Sequence, residues 1–213
     1  MTNVVFIDCH DLGRHLGAYG QETVSSPNLD RLAEDGVCFE GSFCTAPQCS
    51  PSRAGLYTGR YAHAAGMLGL AHDPFNWRLH QDEAYLAGHF QEAGYRTALI
   101  GVQHVTAHQE EAVRRLGFDH VVLEDSAALI PGLAAAWLDD VQEEAFFLNI
   151  GFMIPHRDPG GHYRQAPPDD SLGVQVPGYL PDTPEARREF SELQGVIRQM
   201  DDAVGALRGE LEK

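Results

Sequence analysis

The sequence predicts an α/β fold, a mostly parallel sheet with helices on both faces. Three observations carry this. Short buried strand patterns alternate with helical ones, the helical ones carry apolar stripes, and all three strand patterns run into polar clusters, where sheets of this kind bind ligands. A length of 213 residues corresponds to one domain or one and a half, at ~100–200 residues per domain. With 43% hydrophobic and 22% charged residues, the chain has the balance of a globular protein with a core.

In order, Asn3 to Asp8 reads as a buried strand ending in the polar run Asp8-Cys9-His10-Asp11. A helix follows with Ser26 as N-cap, Pro27 at its first position, Gly36 as its stop and Leu29, Leu32 and Ala33 as its stripe. A second helix is predicted from near Pro51 to Tyr57, and a third after Asp82 as cap, with Leu86, Phe90 and Ala93 on one face and Gly94 closing it. Tyr95 to Ile100 is the next strand, broken at Gly101 and followed by His104. Ser126 to Val141 reads as a helix, and Phe146 to Phe152 as the clearest strand, followed by His156. Residues 155–184, rich in Pro, Gly and Asp, read as a long surface loop, uncommon unless functional or disordered. Thr183-Pro184 then caps a long helix with Phe190, Leu193, Ile197, Met200, Val204, Leu207 and Leu211 on one face.

The 15 Lys and Arg against 31 Asp and Glu leave a net charge of −16. That balance argues against nucleic acid and anionic membrane as partners, while leaving room for an anionic small substrate in a local cationic pocket. No apolar run approaches the ~20 residues that span a bilayer. Met1-Thr2-Asn3 leads into Val4 without a basic start, and Cys9, Cys38, Cys44 and Cys49 lack the paired spacing of a zinc site. The expectation is a reduced, cytoplasmic chain without membrane contact.

The chemistry concentrates in Cys49-Ser50-Pro51-Ser52-Arg53-Ala54-Gly55-Leu56-Tyr57-Thr58-Gly59-Arg60. A cysteine lies at a helix start, with Arg53 in the first turn. The N–H groups and positive dipole there favour an anion, and a guanidinium adds a bidentate donor. A nucleophile so placed faces a sulfate- or phosphate-like group. The same residues also allow a buried structural cysteine beside an ordinary Pro-started helix.

This segment resembles the sulfatase signature, Cys-x-Pro-Ser-Arg followed by Thr-Gly. Asp11-Leu12-Gly13 with Leu16-Gly17-Ala18-Tyr19-Gly20 resembles that family's opening metal loop, and Ser26 to Ala33 its first helix. Met200-Asp201 and Val204-Gly205 resemble the helix before its final metal-binding strand; Gly66-Met67 and Pro155-His156-Arg157 are most similar to the heparan N-sulfatase branch. The resemblance implies an alkaline-phosphatase-like fold that hydrolyses sulfate esters or N-sulfo groups, most simply on a sugar. It implies a formylglycine made from Cys49 by a formylglycine-generating enzyme, and a divalent metal, most simply calcium. By position, Arg53 holds the aldehyde hydrate and the sulfate, Asp11 binds the metal, His104 contacts nucleophile or substrate, and His156 helps protonate the leaving group. In the implied reaction one hydroxyl of the hydrate attacks sulfur, and the second loses its proton as sulfate departs.

The sequence departs from that pattern in three places. The family's aspartate pair reads His10-Asp11, so the metal is assigned His10 as an imidazole ligand or Asp8 from the strand, both on one strand face. A structural strand-end histidine is the other reading of His10, and an imidazole suits zinc or manganese better than calcium. The family's lysine is Val102, with Gln103 as a neutral substitute donor. The pattern also stops at Lys213, before the strand that completes the metal site. Residues 1–213 therefore read as the N-terminal part of a sulfatase catalytic domain, its sheet completed by a missing C-terminal half or by further copies in a homo-oligomer. A phosphate or phosphonate ester hydrolase and a non-catalytic anion-binding or assembly remnant are the competing functions. Trp77 reads as lining a sugar cleft or as packing, and Arg14 and Arg60 as enriching the anion pocket or as surface salt bridges.

Overall fold

The computed structural model describes residues 1–141, 144–163 and 166–213; residues 164 and 165 of the predicted 155–184 loop lie outside the described residues. Among the described residues four strands, β1 (Val4–Asp8), β2 (Arg96–Gly101), β3 (His120–Val122) and β4 (Phe146–Gly151), form one parallel sheet in the order β1-β4-β2-β3. The central β4 is buried at all six positions, as a parallel strand covered on both faces must be. Its register sets Asp8 opposite Gly151 and Gly101 opposite Gly151 at the carboxyl ends. A Cβ on Gly101 would lie 2.0 Å from the Gly151 carbonyl oxygen, and one on Gly151 1.9 Å from that of Val102, so only glycine fits this crossing.

Two faces follow from strand alternation. Leu99, Val121 and Phe147 share a core with Ala54 and Tyr57 of α2 (Cys49–Thr58), Ala87 of α3 (Leu86–Glu92) and Val113 of α4 (Glu110–Arg114). Phe90 stacks on Phe147 with ring centroids 4.4 Å apart. Phe146 points to the opposite face, where Trp137 of α5 (Ile130–Val141) meets it edge-on at 5.5 Å. Helices thus lie on both sides of the parallel sheet.

The chain divides into two compact units, Met1–Asp8 with Ser42–Ser126 and Leu133–Gly151, and Cys9–Gly41 with Ala127–Gly132 and Phe152–Lys213. In the second, α1 (Pro27–Asp35) packs on α6 (Pro184–Leu211). Ser26 does not cap α1 as expected. Its hydroxyl accepts from Gly17 N at 2.9 Å and donates to Asp30 Oδ1 at 3.0 Å. The cap comes instead from the buried Asp201 carboxylate of α6, which accepts from Asn28 N at 3.1 Å and Leu29 N at 2.8 Å. Thr183 does cap α6, accepting from Ala186 N at 3.2 Å. Between β4 and α6 the described residues form no helix or strand. This segment is nevertheless fastened to α6, where Gln194 donates to the carbonyls of Asp169 and Gly173 at 2.6 and 3.0 Å.

Other boundaries shift for physical reasons. α2 begins at Cys49, because a proline is tolerated anywhere in the first turn, where its missing N–H has no intrahelical partner. α3 is entered through Tyr85 rather than Asp82; Tyr85 is 3% exposed and stacks on Tyr57 at 4.8 Å, so core packing sets its start. α5 begins at Ile130, with Pro131 at its second position, rather than at Ser126. Leu211 is 38% exposed and leaves the buried stripe of α6. Among the described residues, no helix is long and apolar enough to cross a membrane.

Candidate active site

The seven candidate residues divide between the units: Asp8, Cys49, Arg53 and His104 in the first, His10, Asp11 and His156 in the second. In the first unit, Cys49 is the first residue of α2, half-buried, with Gln48 as N-cap and the first helical bond running from Ser52 N to Gln48 O at 2.9 Å. Helix geometry leaves the N–H groups of Cys49 and Ser50 without intrahelical partners. Ser50 Oγ accepts from Ala71 N at 3.0 Å, fastening the loop after Leu70 to this turn. Gly55 lets Thr45 approach the helix, since a Cβ there would meet Thr45 Oγ1 at 2.2 Å.

Arg53, one turn after Cys49, is 4% exposed. Its Nη1 donates to Asp8 Oδ1, while Asp8 Oδ2 accepts from Tyr57 OH and from Asn149 Nδ2, the latter at 3.0 Å. Burial is the largest influence on the guanidinium and works against its charge, but the charge and hydrogen bond of Asp8, together with the Tyr57 and Tyr85 phenols, outweigh it and hold the Arg53 pKa above its ordinary value. Burial, followed by the Asp8 charge, pushes the Tyr57 phenol well up, so it remains a donor. Arg53 Nη2 is buried and has no hydrogen-bond partner among the described residues.

His104 follows β2 at φ 58, a left-handed conformation rare for a side-chain-bearing residue. Its ring centroid lies 6.3 Å from that of the exposed His72. Gln103 is not the substitute donor that the sequence suggested. Its amide oxygen accepts from Val105 N at 2.5 Å and Thr106 N at 3.1 Å, and its Nε2 donates to Thr106 O at 3.2 Å, so it is spent on shaping the loop. Val102 is fully buried beside it. Trp77 packs on Gly69 yet keeps 39% of its surface exposed, and Arg60 pairs with Glu83 at 2.8 Å.

In the second unit, the His10 and His156 rings meet edge-on with centroids 5.2 Å apart, and His10 is 2% exposed. His156 Nδ1 lies 2.5 Å from the Arg157 carbonyl oxygen, which only a protonated Nδ1 satisfies. Asp11, at φ 49, borders a groove of about 190 Å³ with His15, Arg157, Tyr163, Glu189 and Phe190. Arg157 pairs with Glu189, and Arg14 lies over the Tyr19 ring at 5.0 Å.

These residues do not by themselves fit calcium. That ion takes six to eight oxygen ligands, whereas both oxygens of Asp8 are committed to donors and His10 offers nitrogen. Among the residues assigned to the metal, only Asp11 is a carboxylate with no bond to another described residue. Sequence reasoning missed the donors that join Arg53 on the Asp8 carboxylate. Tyr57 lies four residues on along the same helix, a spacing that was legible, but Asn149 comes from 141 positions beyond Asp8 and had no local signal.

The parallel sheet with helices on both faces defines an α/β protein, and the sulfatase structures on which it superposes give it the alkaline-phosphatase-like fold. The sulfatase family profile matches residues 2–213, and the chain belongs to the sulfatase family. It is 30% identical, over 98% of its length, to the N-sulphoglucosamine sulphohydrolase of Homo sapiens, and spans 47% of that protein. It superposes on a protein solved with its substrate D-glucosamine-2-N,6-O-disulfate with a TM-score of 0.74 at 16% identity, covering 99% of this chain and 62% of that one. The phosphonate monoester hydrolase of Agrobacterium radiobacter matches with a TM-score of 0.69 at 20% identity, covering 100% of this chain and 59% of that one. At such identities the two structures show a shared fold. The family generally uses formylglycine and a divalent metal.

Proposed function

We propose that this chain carries the nucleophile side of a sulfatase active site that hydrolyses sulfate esters or N-sulfo groups on sugars, with Cys49 converted to formylglycine. One observation carries the reading: one turn from Cys49, a buried and charged Arg53 keeps Nη2 without a partner among the described residues. An unpaired buried donor costs about 1–3 kcal/mol, and a tetrahedral oxyanion is the acceptor that a guanidinium satisfies best. The sugar comes from the relatives, the human sulphohydrolase named for sulphoglucosamine and the structure holding a sulfated glucosamine.

Formylglycine, when formed, supplies a hydrated aldehyde as the nucleophile. Arg53 holds negative charge on the sulfuryl oxygens, and the first-turn N–H groups of α2 add their positive end. His156, with its Nδ1 proton held on the Arg157 carbonyl, keeps Nε2 as the nitrogen that gives a proton to the departing oxygen or amine. His10 and Asp11 would hold the metal, a mixed nitrogen and oxygen set that suits zinc or manganese better than calcium.

The test is co-expression with a formylglycine-generating enzyme, then mass analysis of the Cys49 peptide and turnover of aryl sulfate, phosphate and phosphonate esters. An aldehyde at residue 49 with preferential sulfate turnover, lost in Cys49→Ala, is the expected result. A thiol that stays unmodified, or turnover that survives Cys49→Ala, overturns it. Preferential phosphonate turnover moves the protein to the competing substrate class, and sulfate binding without any turnover to a non-catalytic role.

A further inference from the structure

We infer that Asp8 is the resident counter-ion of Arg53: it clamps the guanidinium through Nη1 and, by its own charge, weakens the hold of the same guanidinium on an external oxyanion at Nη2. The inference rests on Arg53 facing an oxyanion, as proposed above, and adds a residue that sets how tightly a sulfate dianion is kept.

The clamp is built from three elements. Asp8 ends β1 with its side chain 8% exposed, and the Arg53 side chain is 5% exposed. Helix α2 grips the carboxylate twice, through Arg53 and Tyr57 one turn apart, and Asn149 of the central strand donates to the Tyr57-bound oxygen. The acceptor is thereby fixed from both sides, while the guanidinium is held at one end only, with Nη2 unpartnered among the described residues. A rotation that carried Arg53 away would strip Asp8 of the only cation it pairs with among the described residues.

Stability alone does not explain such a pair. Removing two charges from water costs about as much as their attraction returns, so a buried ion pair is weak evidence for stabilisation. Its consequence for a ligand is clear. Without Asp8, an incoming dianion would meet a bare, desolvated cation and bind it tightly. With Asp8 in place it meets a neutral pair, and repulsion from the carboxylate opposes its retention. Arg53 is thus oriented in advance, and sulfate is held loosely enough to leave.

The test is calorimetric titration of inorganic sulfate into the purified protein, its Asp8→Asn variant and its Tyr57→Phe variant, with melting temperatures recorded with and without sulfate. Asp8→Asn keeps the shape and an acceptor for Arg53 but removes the charge. It is expected to bind sulfate at least about tenfold more tightly, the effect of deleting one like charge a few ångströms away in a protein interior. Its melting temperature should therefore gain more from sulfate than the wild type's does. Tyr57→Phe frees the carboxylate from one donor and should weaken sulfate binding several-fold. Should Asp8→Asn fold only in the presence of an anion, its recovery in sulfate but not in chloride of equal ionic strength supports the inference. Failure to recover, with unchanged affinity in Tyr57→Phe, overturns it. If wild type binds and Asp8→Asn binds equally or more weakly, the counter-ion role falls alone. If neither binds sulfate, the reading of Arg53 falls with it.

Discussion

Replacing Asp201 by alanine should loosen the second unit at the start of α1. Asp201 is fully buried on α6, and its carboxylate accepts from Asn28 N at 3.1 Å, Leu29 N at 2.8 Å and Asn28 Nδ2 at 2.9 Å. The two backbone donors belong to the first turn of α1, whose own N-cap, Ser26, makes no capping bond. Loss of an N-cap costs about 1–2 kcal/mol. Each buried donor left without an acceptor adds about 1–3 kcal/mol, and these terms overlap. We take about 4 kcal/mol as the total, a fall in melting temperature of roughly 12 °C at about 2–4 °C per kcal/mol for a chain of this size. Urea unfolding should show a lower midpoint at unchanged slope. Gly205→Ala attacks the same junction from the helix side, because its Cβ would lie 2.5 Å from Asn28 Cγ. A loss under about 1 kcal/mol in Asp201→Ala would refute the reasoning, since it would mean that α1 is capped equally well by other groups.

Gly151→Ala should be far more damaging, by more than about 3 kcal/mol, because the new methyl meets the Val102 backbone, which cannot yield as a side chain would; soluble expression at wild-type stability would contradict this. Gln103→Leu should expose the amides of Val105 and Thr106 to rapid hydrogen exchange and cost about 2 kcal/mol, as three bonds held by one side chain disappear together. Burial, and then the Arg114 guanidinium, push the His120 imidazole below its ordinary 6.5. The unfolded chain therefore takes up that proton first, so the stability contributed by neutral His120 is present above pH 6.5 and is lost as the pH falls below it. His120→Gln should flatten the decline in melting temperature between about pH 7 and pH 5, and an unchanged decline would contradict the assignment.

What was legible followed from local periodicity. β1, β4 and α6 have apolar patterns long enough to exceed their competitors, and Thr183-Pro184 carries its own start signal in its hydroxyl and ring. β3, three residues long, and α4, five, are too short for a period to register; pairing with β2 and burial of Val113 create them. Ser26 looked like a cap because the acceptor type was right, but the carboxylate that does the capping sits 173 positions beyond Asn28, whose amide it accepts. The signature around Cys49 was legible because cysteine, proline and arginine act within one helical turn. The fate of Asp8 was not, since a strand-end carboxylate reads equally as a metal ligand or an ion-pair partner until the side chains across the sheet are seen. Gln103 was misjudged for the same reason: its donors and acceptors are satisfied by the loop it closes.

The pairing of the first strand with the last has a kinetic cost. Asn3 Oδ1 accepts from Phe146 N across 143 positions, and among the described residues β4 is the strand on which the backbone of β1 pairs. During synthesis the apolar Val4-Val5-Phe6-Ile7 must leave the ribosome and stay unpaired until most of the described chain has followed. Such late, distant closure makes for slow folding and a long exposure to aggregation. This chain should therefore depend on holdase chaperones more than a helical bundle of equal length.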